Sequence, residues 1–283
     1  MFGCVLSAWL ILLQEQPQLT QGGCQVSVVD YRDIETLKYA LRGIDTVIST
    51  VTGQTQIELI KAAVSIRVRR FIPAEFEGLP QLRNSNDPLD RGRTLARQFL
   101  QHYAQFIEST TFVCGIFYER FQPGGLQHTR IGLTSGLCGE GDYIMDCRNM
   151  HAKVPAYDAD EKMTVTICMT AAQDVARFVT KALDLPQWPA ELRMVGQRVL
   201  VKDLVELVQH LKGEQFDCAL STYHEPANEV NRTALQSDNA RHTRIAPSRA
   251  TPSNCPARSS SRDSALCITG DRRGSLRLLT AQS

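Results

Sequence analysis

The sequence predicts an α/β fold with a doubly wound parallel sheet, and three observations predict it. Short β-branched runs alternate with amphipathic segments between residues 26 and 73. Each strand-like run ends in a polar or turn-forming stretch. Each intervening segment has the length of a single crossover helix, so successive strands can lie parallel.

Val26-Ser27-Val28-Val29 reads as the first of these strands, and Asp30 ends it. Asp33 suits the N-cap of a helix carrying Ile34, Leu37, Ala40 and Leu41, with Gly43 as its stop. Thr46-Val47-Ile48-Ser49-Thr50-Val51 is the next strand, and Gly53 turns the chain into a helix with Ile57, Ile60, Ala63 and Val64. Arg69-Arg70-Phe71-Ile72 is a strand closed by Pro73. In such a sheet, ligands bind beyond the carboxyl ends of the strands. That directs attention to residues 30–33, 50–53 and 73–76, and the reading requires the strands within 26–76 to be neighbours.

Further along, Leu95, Ala96, Phe99, Leu100 and Tyr103 mark a helix, and residues 110–117 read as one buried strand. Residues 122–160 are Gly-rich and without a clean period. Residues 164–169 are a strand, and Thr170-Ala171-Ala172-Gln173 reads as a capping box opening a helix through Val175, Phe178, Val179 and Leu183. A short strand at 192–195 and an amphipathic helix from Asp203 to Leu211, stopped by Gly213, follow. From about Asp217 the chain turns to Ser, Arg, Thr, Asn and Pro without apolar periodicity, and is expected to be disordered. The expected organisation is an apolar N-terminal segment (1–23), an incomplete nucleotide-binding domain (24–121), a small α/β substrate lobe (122–216) and a tail (217–283).

Composition narrows the function. Hydrophobic residues are 43% and charged residues 22%, and the formal net charge of +1 gives no pull toward nucleic acid or membrane. Nine cysteines without a C-x-x-C pair read as reduced thiols of a cytoplasmic protein, and no Cys/His grouping has the spacing of a metal site. The apolar run from Met1 to Leu13 is shorter than the roughly 20 residues that span a bilayer and has no basic residue ahead of it. A buried strand or helix is expected there.

The run from Gly43 through Gly53 and the run Arg70-Phe71-Ile72-Pro73-Ala74-Glu75-Phe76 resemble the NmrA-like/isoflavone-reductase family, atypical short-chain dehydrogenases/reductases, in its fungal form. The likeness continues through Thr111–Gly115, Ile116–Glu119 and Ala172–Arg177. It implies a Rossmann-type sheet, NADP(H) as cofactor, and reduction of a small aromatic or secondary-metabolite substrate. It also implies residue roles. Asp30 and Tyr31 would lie near the adenine, and Thr50, Val51, Thr52 and Gly53 along the ribose and pyrophosphate. Pro73, Ala74, Glu75 and Phe76 would approach the nicotinamide, while Arg93, Gly115, Phe117 and Tyr118 would face the substrate.

The sequence departs from the family in two respects. The glycine-rich phosphate loop that should open the domain is not found ahead of Val26; Gly22-Gly23 is a lone pair. The first strand–helix unit is therefore expected to be truncated, leaving the central strand of the sheet missing. The apolar run from Val5 to Leu13 is one candidate to fill that position. Second, Arg91 or Arg93 stands about where the family places a catalytic Lys, and arginine does not readily give up a proton. No catalytic residue is assigned, so enzyme status stays open. The alternatives are a non-catalytic dinucleotide sensor and a non-functional truncated product. Glu75 and Glu77 read first as a solvated pair and second as acid/base groups.

Overall fold

The computed structural model describes residues 9–12, 21, 25–81, 83, 90–133, 135–158, 160–222, 265–271 and 276–281. It is a mixed α/β structure, as expected. The predicted alternation is present as strand β2 (Gln25–Val28), helix α1 (Ile34–Ala40), β3 (Ile44–Ile48), α2 (Gln54–Ser65) and β4 (Arg70–Ile72). Asp33 caps α1, its side chain accepting the Glu35 N–H at 2.9 Å. β3 and β4 run parallel, pairing Thr46 with Arg70, Val47 with Phe71 and Ile48 with Ile72.

Alternation along these two strands makes the sheet doubly wound. Val47 and Phe71 point into one core with Leu37, Leu41, Ile57, Ile60 and Ala96, under α1, α2 and α3 (Arg93–His102). Ile48 and Ile72 point into the opposite core with Phe112, Val175, Val179 and Trp188, under α5 (Ala172–Ala182). A short helix, α4, spans Gly125–His128. Each fully buried Leu or Ile removed from water contributes about 2 kcal/mol. A strand buried on both faces therefore needs the continuous apolar run that both segments show.

The expectation that strands within 26–76 are all neighbours is corrected. The large sheet has the order β2-β1-β16-β15-β3-β4-β6, where β1 is Trp9–Leu12, β6 Glu108–Ser109, β15 Ala265–Asp271 and β16 Leu276–Ala281. β1 lies parallel to β2, so part of the apolar N-terminal run does enter the sheet. The hairpin β15–β16 fills the space between β1 and β3, with β15 antiparallel to β3 at Asp271↔Ile44. An unfilled position would leave the backbone groups of β3 without partners, which is costly in a buried sheet. The disorder expected from 217 onward therefore does not extend to these two strands, nor to β14 (Asp217–Thr222), which pairs in parallel with β10 (His151–Tyr157).

The strand expected over 110–117 is broken into β7 (Thr111–Val113) and β8 (Ile116–Phe117). β7 joins β5 (Phe76–Glu77) and β12 (Glu191–Arg193) in a small parallel sheet. β8 joins β11 (Thr166–Thr170) and, through it, β13 (Gln197–Leu200). The break at Gly115 is steric. Its φ is +72°, and a Cβ there would lie 2.3 Å from the Cys168 carbonyl oxygen. A third core gathers Met145 of β9 (Met145–Asp146) with Val154, Ile167, Met169, Leu204 and Phe216 under α6 (Val201–Lys212).

The capping box expected at Thr170 is also corrected. Thr170 is the last residue of β11, and its hydroxyl donates to the Cys114 carbonyl at 2.7 Å. The start of α5 is capped from a distance, the Glu119 carboxylate accepting the Ala172 N–H at 2.9 and 3.1 Å.

Candidate functional site

The carboxyl ends of β3 and β4 meet at one side of the sheet, and the chain ties them there. The Ser49 N–H donates to the Ile72 carbonyl at 2.8 Å and the Ser49 hydroxyl to the Val51 carbonyl at 3.2 Å. Gln56, buried in α2, accepts the Ala74 N–H at 2.6 Å. The loop opening α2 is thereby fixed to the loop leaving β4.

Most of the residues expected to form a site converge here. Thr50, Thr52 and Gly53 are half-buried and Val51 is buried. The Thr50 hydroxyl oxygen is buried without a hydrogen-bond partner. α2 begins at Gly53 with no side-chain cap and no acidic residue in its first turn, so its leading N–H groups carry an uncompensated partial positive charge. Pro73, Ala74 and Glu75 are buried, and Phe76 stacks on Phe112 with centroids 5.9 Å apart. Gly92 packs against Gly53 so closely that a Cβ on it would sit 3.1 Å from the Gly53 Cα. This contact brings Arg91 and Arg93, at the start of α3, over the same mouth. The Gly115 N–H donates to the Glu77 carbonyl at 3.1 Å. Phe117 and Tyr118 follow, half-buried, with the Tyr118 hydroxyl 3.2 Å from the Gln197 side-chain oxygen.

Asp30 and Tyr31 are not in this group. They follow β2, which three strands separate from β3. Asp30 is exposed and accepts the Arg32 N–H at 2.8 Å, whereas Tyr31 is only 5% exposed and packs in the core beside α1. A cavity of about 480 Å³ between β2 and α1, lined by Val28, Val29, Thr36 and Tyr39 among others, includes none of the expected site residues. Gly22 and Gly23 lie outside the described residues.

The main surprise is electrostatic. Glu75 and Glu77 are not a solvated pair. Glu75, 1% exposed, pairs with the fully buried Arg83 at 2.5 Å and with Arg97 at 3.5 Å. Glu77 receives Arg93 at 2.6 Å, with Arg83 and Arg91 each at 3.6 Å. Asp90 faces Arg83 at 3.6 Å and caps the start of α3 through the Thr94 N–H. Burial pushes the Glu77 carboxyl up, but the Arg93, Arg83 and Arg91 guanidiniums outweigh it and hold the group below the usual carboxylate range. Arg91 is brought down to about 10, by burial first and then by the like charge of Arg93, despite the pull of Glu77. Burial also lowers Arg120, which lies over the Tyr143 ring at 4.3 Å and donates to the Leu137 carbonyl. Of this cluster only Arg91, Arg93, Glu75 and Glu77 were singled out from the sequence. Arg97 was legible as the i+4 neighbour of Arg93 on one helix face, but Arg83 and Arg120 carry no local signal.

Comparison with known proteins gives the same class. No family model matches the chain. The chain is 26% identical over 245 residues to Oxidoreductase BOA1 of Botryotinia fuckeliana, an alignment covering 78% of this chain and 73% of that protein. It is 25% identical over 217 residues to Oxidoreductase swnN of Metarhizium robertsii, covering 68% of this chain and 62% of the relative's length. Among solved structures, leucoanthocyanidin reductase from Vitis vinifera in a binary complex with NADPH superposes with a TM-score of 0.56, at 16% identity, over 76% of this chain and 70% of that one. The fold is that of Rossmann-type NAD(P)-binding reductases. The resemblance read from residues 43–76 is borne out at the level of fold and of low-identity fungal oxidoreductase relatives. No helix among the described residues is long and apolar enough to cross a membrane.

Proposed function

We propose that this chain is an NADP(H)-dependent oxidoreductase that reduces a small organic molecule of the aromatic or secondary-metabolite kind. The observation that carries the reading is the junction of the β3 and β4 ends. There, an uncapped twelve-residue helix and the orphaned Thr50 hydroxyl face a loop held by the Gln56–Ala74 hydrogen bond. Those features fit a dinucleotide, whose phosphates and hydroxyls match helix N–H groups and a free hydroxyl. In this reading Thr50, Thr52 and Gly53 hold the sugar–phosphate part, and Pro73, Ala74, Glu75 and Phe76 border the nicotinamide. Bound NADPH supplies the hydride. Gly115, Phe117 and Tyr118, with Arg93, bound the space left for substrate. Asp30 remains the candidate for the adenosine end, at the carboxyl end of β2.

The named activities of the two fungal relatives and of the plant reductase support the class of reaction. The thiols of Cys114, Cys147, Cys168 and Cys218, none in a disulfide, suit a reducing, cytoplasmic setting. The test is titration of the purified chain with NADPH, NADP+ and NADH, followed by NADPH oxidation at 340 nm with a panel of aromatic carbonyl substrates. Micromolar NADPH binding with turnover of one panel member is expected. Absence of dinucleotide binding would overturn the reading.

A further inference from the structure

The arginine cluster beside the proposed cofactor mouth has more positive than negative charge. Among the described residues, Arg83, Arg91, Arg93 and Arg97 share three carboxylates, those of Glu75, Glu77 and Asp90. Buried charges are costly unless paired and hydrogen-bonded. Arg83 and Arg93 meet that condition only partly. Their side chains are 0% and 7% exposed, yet the Nε of each lacks a hydrogen-bond partner, as does Nη1 of Arg83. Arg91 is the least compensated. Among the described residues its one ion pair, to Glu77, is long at 3.6 Å, and its Nε is buried without a hydrogen-bond partner. Its side chain is 21% exposed, so a ligand can reach it from solvent.

We propose that Arg91, backed by Arg93, is a receptor for the carboxylate of a small organic acid bound at this mouth. A planar guanidinium with unused N–H groups matches a carboxylate in two parallel hydrogen bonds. An incoming anion would bring the charges in the cluster closer to balance. The surroundings favour an organic acid over a bare phosphate. Phe117 and Tyr118 are half-buried and follow Gly115, whose N–H donates to the carbonyl of Glu77, the residue that pairs with Arg91. The inference extends the proposed reductase site to its substrate's charged group. It is tested by binding alone, so either reading can fail without the other.

The full-length chain is titrated calorimetrically with benzoate, cinnamate, methyl cinnamate, inorganic phosphate and NADPH, as wild type, Arg91→Gln and Arg91→Lys. The expected result is that a carboxylate binds the wild type and binds Arg91→Gln at least tenfold more weakly, which corresponds to about 1.4 kcal/mol. Methyl cinnamate should not distinguish the two proteins. Arg91→Lys keeps the charge without the planar fork and should fall between them, and it serves alone should Arg91→Gln not fold. The proposal is overturned by equal affinity for cinnamate and its methyl ester, by carboxylate binding that Arg91→Gln and Arg91→Lys leave unchanged, or by no carboxylate binding at millimolar concentration. Weakening of NADPH or phosphate alone would assign the guanidinium to the cofactor's phosphates and overturn it equally.

Discussion

The Arg70 Nε donates to Glu108 Oε2 at 2.6 Å, joining β4 to β6 beneath the site. The same guanidinium donates to the carbonyls of Leu183, Leu185 and Pro186 and lies over the Trp188 ring at 4.7 Å. One side chain, 3% exposed, thus ties the parallel sheet to the loop that follows α5. Glu108 completes the brace by accepting the Trp188 N–H.

Arg70→Met should therefore cost about 3 kcal/mol, because Glu108 loses its buried guanidinium partner and three carbonyls lose their donor. A urea titration followed by tryptophan fluorescence measures it. A loss below about 1 kcal/mol would mean that solvent satisfies these groups and the brace is dispensable.

Two glycines separate conformational strain from collision. Gly43 has a φ of +76° and nothing within 4 Å of its absent Cβ, so Gly43→Ala should cost only about 1–2 kcal/mol. Gly115 has a similar φ of +72° but faces the Cys168 carbonyl, so Gly115→Ala should cost clearly more and disturb the β8–β11 pairing. Equal losses in the two variants, measured by thermal unfolding, would show that the Cys168 backbone yields readily.

Glu119 acts as a cap supplied from another element. Glu119→Ala should destabilise by about 1 kcal/mol through loss of the Ala172 N–H acceptor and of a negative charge at the start of α5. Hydrogen exchange should rise at residues 172–174 while the helix centre stays protected. Uniform protection across α5 in the variant would contradict the capping role.

The Glu77 carboxyl is held down in the folded state. A carboxyl so depressed stabilises the fold above its ordinary range near pH 4.3, and that contribution is lost as pH falls through the folded value. Glu77→Gln should accordingly be less stable than wild type at pH 7, and the difference should shrink below about pH 4. Denaturant midpoints at pH 7, 5 and 3.5 measure this. A difference that does not change with pH would show that packing, not charge, is what Glu77 contributes.

Legibility varied by element. The β3–α2–β4 unit could be read because both strands are buried on both faces, so Val47/Ile48 and Phe71/Ile72 appear as continuous apolar runs. α6 and its stop at Gly213 could be read because amphipathic spacing and a residue with φ +71° are local properties. The Thr170 box misled because a hydroxyl beside a helix start looks the same whether it caps the helix or, as here, bonds to the Cys114 carbonyl 56 residues away in sequence. The positions around Gly53 and Glu75 were singled out because they follow predicted strand ends, and Gly115 through the family resemblance. The pairing of Glu75 with Arg83 was missed because it depends on how a loop returns.

By itself, then, the sequence determined what most short stretches form and where the strands end, since periodicity, propensity and turn residues act over a few neighbours. Tertiary structure alone decided that β15 and β16 stand between β1 and β3, that Tyr31 is buried in the core, and that four guanidiniums share three carboxylates. Strand order and charge balance depend on which distant segments meet. That is set by the need to pair backbone groups and bury apolar surface across the whole chain.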